Sequence, residues 1–325
     1  MRTPHGFQSG LALTASLLLL FASCDDCRGR PVDSLTTLEP VDVLDAGEPE
    51  VEHLAMSTST APYVPRYPEL VIGTTAITLD GRQVVEVSRG AVPESAIRGG
   101  GKGMVVTPVL EALGSLGQGA AAVKRVLTIS PDPRTPYDLF ARVLYTAGEA
   151  GVASFQFPVR GTDGLKHALG TVAELPGPPP ARPGTTGDAG PGGGSGDAGS
   201  VMAPAWGLTV VVTGEGFRVA APEPVLGSDA GTIAAIPLAS GWEARCSMSA
   251  LADREGLGPP VCAYDFEALR RLLEPIKRRY PTERTIMVGA SGDVDWETMV
   301  GVLDVARGSA GAELFPVTIF TFLGR

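Results

Sequence analysis

Histidine is the residue that most limits what chemistry this 325-residue chain can perform. There are three: His5 in an apolar leader, His53 in an acidic stretch, and His167. No Ser-His-Asp or Cys-His arrangement can be built from parts that recur in the chain. Gly289-Ala290-Ser291-Gly292-Asp293 has the outline of a nucleophile elbow, but Asp293 stands where the closing glycine belongs, and a strand-to-helix cap accounts for the same residues. Gly99-Gly100-Gly101-Lys102-Gly103 has the composition of a phosphate cradle, lacks Ser or Thr after the lysine, and reads as a flexible loop. Asp132, Asp293 and Asp295 sit in corresponding turns ahead of helices, where an acid meets the positive helix end; capping is expected over a general-acid role. Tyr137 and Trp296 hold equivalent first-turn positions and are expected in the core. No catalytic, cofactor-binding or metal-binding residue is assigned, and no cofactor is expected.

Cysteines carry the remaining chemistry. The apolar run from Leu11 to Ala22 matches a signal-peptide core and falls short of the roughly 20 residues that a membrane span needs. It ends in Leu20-Phe21-Ala22-Ser23-Cys24, which resembles a bacterial lipobox with Phe21 where leucine is usual. Cys24 is then the lipid-attachment residue; an ordinary signal peptide cleaved nearby is the other reading. Both export the protein, and the lipobox places it on the periplasmic side of the envelope, with inner or outer membrane left open. The spacing of Cys246 and Cys262 suits a loop-closing disulfide, and Cys27 stays unassigned. Two cysteines without histidine make a poor zinc site. A net charge of −10 argues against a nucleic-acid partner. The one basic cluster, Arg270, Arg271, Lys277, Arg278 and Arg279, falls on the polar side of an amphipathic helix and reads as a solvated face.

The elements that must position these residues read as strand, helix, strand, twice over. From Arg125 to Val159 the apolar period changes from a continuous run to helical spacing (Tyr137, Phe140, Leu144, Ala147) and then to alternation. Arg284 to Phe320 repeats this with Trp296, Met299, Leu303 and Ala306, all at one constant offset (137 to 296, 140 to 299, 144 to 303, 147 to 306). Phe157-Pro158-Val159 recurs as Phe315-Pro316-Val317, at an offset shorter by one. Upstream, two β-rich runs, Glu69 to Leu79 and Arg82 to Val87, flank Asp80-Gly81, a tight-hairpin dipeptide, and a helix follows around Pro108 to Leu116. The second copy places its hairpin at Gly214-Glu215-Gly216 and a helix capped by Asp265, with Pro275 expected to kink it. The interval from hairpin glycine to strand arginine is longer in the second copy (214 to 284) than in the first (81 to 125), which implies an insertion of 26 (70 − 44). The expected class is α+β: two small domains, each β-β-α-β-α-β with two helices on one face of a mixed sheet. The expected map is a signal peptide (1–23), an acidic disordered tether (24–68), domain 1 (69–174), a Pro/Gly-rich linker (175–204), and domain 2 (205–325) with its insertion at about 222–262.

The order of elements, the Asp-Gly hairpin, and the helices in TPYDLFARVLYTAGEAG and DWETMVGVLDVARGSAG resemble the periplasmic domain of the ExbD/TolR family, over about two thirds of the chain. The resemblance implies dimerisation and binding of a TonB-like segment, a channel-forming envelope protein or peptidoglycan, in support of proton-motive-force-coupled biopolymer transport or envelope maintenance. The family's membrane helix, with its proton-handling aspartate, has no counterpart in this apolar run. The expectation is a lipid-anchored periplasmic binding module, not an enzyme, acting as a pseudo-dimer of its own two domains or a homodimer. The alternative is a small-ligand-binding envelope lipoprotein.

Overall fold

Leu70 and Ile72 are buried and alternate with half-buried Glu69 and Val71, which places them on one face of a short strand, β1 (Glu69–Ile72). The computed structural model describes residues 53–65, 67–116, 125–169, 207–222, 225–226, 233–252, 254–309 and 312–322. The expected signal peptide, Cys24, Cys27 and the expected linker lie outside them.

The run from Glu69 to Leu79 breaks at Gly73, whose N–H donates to the Ala76 carbonyl at 2.9 Å, so it forms β1 and β2 (Ala76–Leu79) where one strand was expected. Asp80 (φ 48°) and Gly81 (φ 74°) then turn the chain into β3 (Arg82–Glu86), as a two-residue hairpin of this type requires. A two-stranded ribbon, β4 (Ile97–Arg98) with β5 (Val105–Val106), precedes α1 (Thr107–Ser115), β6 (Arg125–Pro131), α2 (Tyr137–Glu149), β7 (Val152–Arg160) and β8 (Lys166–Leu169). The first sheet runs β3-β2-β1-β6-β7-β8, parallel through β1, β6 and β7 and antiparallel outside them.

The C-terminal half begins with β9 (Thr209–Thr213) and β10 (Gly216–Ala220), followed by a strand absent from the sequence reading, β11 (Ile233–Pro237). Two single-turn helices, α3 (Trp242–Arg245) and α4 (Met248–Leu251), lead to α5 (Phe266–Arg279), β12 (Thr285–Ala290), α6 (Trp296–Arg307), a ribbon of β13 (Gly308–Ser309) and β14 (Ala312–Glu313), and β15 (Val317–Phe320). The second sheet runs β11-β10-β9-β12-β15, parallel through β9, β12 and β15. The fold is α+β with two mixed sheets. α5 continues through Pro275, and Asp265 caps it by accepting from the Ala268 N–H at 2.8 Å.

Strand register corrects how the halves align. Leu70 lies beside Ile129 and Leu79. Val210 lies beside Val288 and Val219 in the same way. The offset between the halves is therefore 140 in the first two strands (70 to 210) and 159 after them (129 to 288), so the second half is longer by 19 (159 − 140), not 26. The hairpin at Gly214-Glu215 corresponds to the turn at Gly73, not to Asp80-Gly81. Nor does Phe315 correspond to Phe157. Phe155 pairs with Leu127 as Thr318 pairs with Ile286, which makes Phe320 the counterpart of Phe157. The ribbon of β13 and β14 supplies the difference.

The two halves meet at their strand-to-helix turns. A helix leaves its first backbone N–H groups without intrahelical partners. At α2 the N–H of Tyr137 donates to the Val294 carbonyl at 2.7 Å, and that of Asp138 to Gly292 at 3.1 Å. At α6 the N–H of Trp296 donates to Thr135 and that of Glu297 to Pro133, both at 2.9 Å. Each bond is the image of another at the offset set by 129 and 288. Behind them Phe140, Phe157, Trp296 and Phe320 form one buried aromatic cluster, with Phe140 and Trp296 centroids 4.5 Å apart. Tyr137 completes it by donating its hydroxyl to the Thr321 carbonyl at 2.9 Å.

The expectation of a disordered tether over 24–68 is corrected for its described part, from His53 on. Leu54, Ala55 and Ser57 are buried, and residues 55–61 bond to β7 and β8, through Arg160 and Ala168. The Ser57 hydroxyl and Thr58 N–H reach Asp304 on α6, each at 2.7 Å. The acidic composition hid this because the acids stop at Glu52, and the residues from Leu54 to Pro65 are small, apolar or hydroxylated.

Two outcomes follow from this packing. Trp296→Ala costs about 3–5 kcal/mol by opening the shared cluster. Trp296→Phe costs about 1 kcal/mol, because it also removes an indole N–H that meets no acceptor among the described residues. Urea midpoints of the two variants check the ranking; equal losses would refute it. Second, burial pushes the Asp304 carboxyl above its ordinary range, against the bonds from Ser57 and Thr58 that lower it. The folded chain then keeps a proton that the unfolded chain has released, so stability falls as pH rises from the ordinary carboxylate range through the raised one. Asp304→Asn flattens that slope in urea midpoints taken across the window; an unchanged slope would assign it elsewhere.

Candidate functional site

The paired turns bring together most of the residues singled out from the sequence, in unequal roles. Asp295 is the cap of α6: its Oδ1 accepts from the Thr298 N–H at 2.9 Å. Asp132 does not cap. Its Oδ1 accepts from the Arg134 N–H at 2.8 Å within the turn, and the cap position of α2 is held by Pro136, which has no side-chain acceptor to offer. Asp293 does not cap either; it is exposed, and its backbone carbonyl accepts from the Gly258 N–H at 2.9 Å. The Ser291 hydroxyl lies 3.4 Å from the Val212 carbonyl, a bond that ties the turn to β9.

Gly99 to Gly103 is built the opposite way from a phosphate cradle, which aims N–H groups inward. Here the carbonyls of Gly101 and Gly103 converge on the buried Arg142 guanidinium, the Gly101 bond being 2.7 Å, while Lys102 is exposed. Arg142 is also held by Asp138 at 3.0 Å. His167 pairs with Asp163 at 2.9 Å beside β8, away from the turns. Of the basic cluster on α5, Arg271, Arg278 and Arg279 are exposed, and Lys277 donates to the Glu283 carbonyl. Among the described residues no group of three or more His, Cys, Asp or Glu could hold a metal, and no helix is long and apolar enough to cross a membrane.

The residue that sequence reasoning missed is Arg254. Cys246 and Cys262 form a disulfide with Cα atoms 5.6 Å apart, closing a loop whose conformational restriction is worth about 3 kcal/mol. Arg254 is the only cation between them, and that spacing was the available signal. Its Nη2 donates to Asp295 Oδ2 at 2.7 Å and to the Gly258 and Pro259 carbonyls at 2.7 and 3.1 Å. Asp295 is 1 % exposed, so its carboxylate depends on this guanidinium and on the end of α6. Tyr264 seals the other side, donating to the Thr213 carbonyl at 3.0 Å. Burial, then the charges of Asp295 and Asp293, push the Tyr264 hydroxyl up. Burial and Asp295 likewise push the Glu297 carboxyl up.

In the N-terminal half the corresponding turn borders an open cavity of about 190 Å³, lined by Arg89, Arg134, Pro136 and Leu139 and, from the disulfide loop, Glu255 and Leu257. Gly90 (φ 70°) lets the 88–91 turn close against Pro136: a Cβ there would stand 2.5 Å from the proline ring.

Removing Arg254 strands a buried carboxylate, so Arg254→Ala costs about 3–5 kcal/mol, and adding Asp295→Asn recovers part of the loss. A denaturant double-mutant cycle reads the coupling; additive losses would show that the pair does not act as one unit. No family model, curated protein or solved structure matches the chain, so its function is argued from this geometry.

Proposed function

We propose that the chain is a lipid-anchored periplasmic binding module, attached through Cys24, non-catalytic, and built as two ExbD/TolR-like domains that act as a pseudo-dimer within one polypeptide. It serves a proton-motive-force-coupled transport or envelope-maintenance machine by holding an extended segment of a TonB-like or channel-forming partner. The observation that carries this reading is the reciprocal bonding of the two turns, since the resembled domain pairs with itself.

The outer strands indicate where such a segment would add. β3 is guarded by Arg82 and Glu86, and β8 is bonded by residues 59–61. β11, Ile-Ala-Ala-Ile-Pro, carries no charge, and Ile233 is 60 % exposed. The Leu238 N–H bonds the Glu215 carbonyl, which fixes the alternation along the β10–β11 pair and turns the backbone groups of Ile233 and Ala235 away from β10. An extended peptide would add there as a further antiparallel strand.

Ala235→Pro removes one outward N–H while leaving the bonds to β10 in place. Affinity capture from envelope extract is expected to enrich a channel-forming or TonB-like protein, and Ala235→Pro to lose it. Capture undiminished by Ala235→Pro would sink strand addition, and no enrichment at all would sink the module itself. Labelling by a palmitate analogue, lost in Cys24→Ala, checks the anchor.

A further inference from the structure

Residues 56–64 lie along β7 and β8 in strand-like fashion, with single bridges from Met56 to Arg160 and from Pro62 to His167. The fold holds them mostly by the backbone. The Arg160 carbonyl accepts from the Ser57 N–H at 2.9 Å, the Arg160 N–H donates to the Ala55 carbonyl at 2.9 Å, and the Ala168 N–H donates to the Ala61 carbonyl at 3.0 Å. Buried Gln156 clamps Val64 from both sides, its Oε1 accepting from the N–H at 3.3 Å and its Nε2 donating to the carbonyl at 3.1 Å. Bonds of this kind read a main chain and tolerate many sequences. Side chains enter at two alternate positions: the Ser57 hydroxyl donates to Asp304 Oδ1 at 2.7 Å, and the Ser59 hydroxyl to the Ala168 carbonyl at 2.6 Å. The Thr58 N–H completes the hold on Asp304, 2.7 Å from Oδ2.

The segment is bonded but hardly packed. Met56, Thr58, Thr60, Pro62 and Val64 are exposed, and between Met56 and Val64 only Ser57 is buried. Thr58 to Ala61 bridge an open cavity of about 190 Å³, whose far wall is Asp304, Arg307, Glu313 and Pro316. Few buried apolar contacts and exposed backbone bonds mark a unit that opens below the free energy of global unfolding. Ala168 shows what opening releases. Its neighbour on β7 is Pro158, which has no N–H to give, and its own N–H and carbonyl are taken by Ala61 and Ser59. With the segment lifted, β8 becomes an open sheet edge.

We infer that the groove under residues 56–64 is a peptide-binding site, held in cis by this segment and open, when the segment lifts, to an extended segment of a partner protein. The occupant that the groove already accepts sets the chemistry: no charge from Met56 to Val64, and hydroxyls at two positions one residue apart. A cis occupant lowers the apparent affinity for a trans one by the fraction of time the groove is free, so weakening its hold raises binding. The groove residues are separate from β11, and the site does not depend on strand addition there.

Labelled acetyl-Met-Ser-Thr-Ser-Thr-Ala-Pro-Tyr-Val-amide, whose acetyl carbonyl replaces that of Ala55, is titrated into the full chain by fluorescence anisotropy. Ser57→Ala with Thr58→Pro takes from the segment both donors to Asp304 and leaves the groove unaltered. This double variant is expected to bind the peptide at least about tenfold more tightly than the unaltered chain, the value of one bond to a charged group. A peptide with alanine at both serines is expected to bind more weakly, and Ala235→Pro to change nothing. Hydrogen exchange on the unaltered chain gives an independent reading: the Ser57 and Ala168 amides are expected to exchange ahead of those in β6 and β12. Equal binding by the two chains, indifference to loss of the serines, or exchange of Ser57 and Ala168 only at the global rate would overturn the inference. So would dimerisation of the double variant by light scattering, which would make the occupant a second copy.

Discussion

The structure depends on how two helices satisfy their first N–H groups. The first two donors of α2 find their acceptors in the turn before α6, and the first two donors of α6 find theirs in the turn before α2. Helix ends normally take such partners from a capping side chain or from water. Here the partner of the first two is the other half of the molecule, with the aromatic cluster buried behind the turns. Separating the halves would expose Trp296, Phe140 and Phe320 and strand these backbone donors together, which is why the sheets share one core.

Around that symmetric centre the peripheral parts are unequal. α6 has a side-chain cap in Asp295, and capping it in a buried place creates a need for a cation. The extra stretch before α5 supplies Arg254, and the disulfide restricts the loop that carries it. α2 is capped by Pro136, which carries no charge, so no cation was required and the matching cavity stayed open. A single exchange, Asp295 against Pro136, thus connects the insertion, the disulfide and the difference between the two sites.

How much of this was legible in the sequence follows from the range of each interaction. Tyr137, Phe140 and Leu144, and their images Trp296, Met299 and Leu303, declare their helices because helical period is local. The hairpin at Asp80-Gly81 was readable for the same reason: positive φ at two adjacent positions needs particular residues. Strand register is decided by partners far along the chain, and there short-range likeness misled. Phe-Pro-Val recurs at Phe157 and Phe315, yet the second copy precedes its strand, and Phe320 takes the place of Phe157 beside Trp296. The packed segment around Ser57 was invisible because its partners, Arg160, Ala168 and Asp304, lie far along the chain in the first sheet and on α6. The pairing of Arg254 with Asp295 was hidden too, since neither residue signals burial by type.

Joining two like halves in one chain changes what their interface can become. In a homodimer the contact is isologous, and any substitution appears on both sides of the axis at once. A plug that filled one site would fill both, and a carboxylate placed to cap one helix would demand two buried cations. Within a single chain the centre can stay symmetric, since the acceptors that Thr135 and Val294 offer across it are backbone carbonyls. Side chains one or two positions away are then free to diverge. Arg134 against Asp293 and Pro136 against Asp295 are that divergence, set within the turns whose backbones are held equivalent.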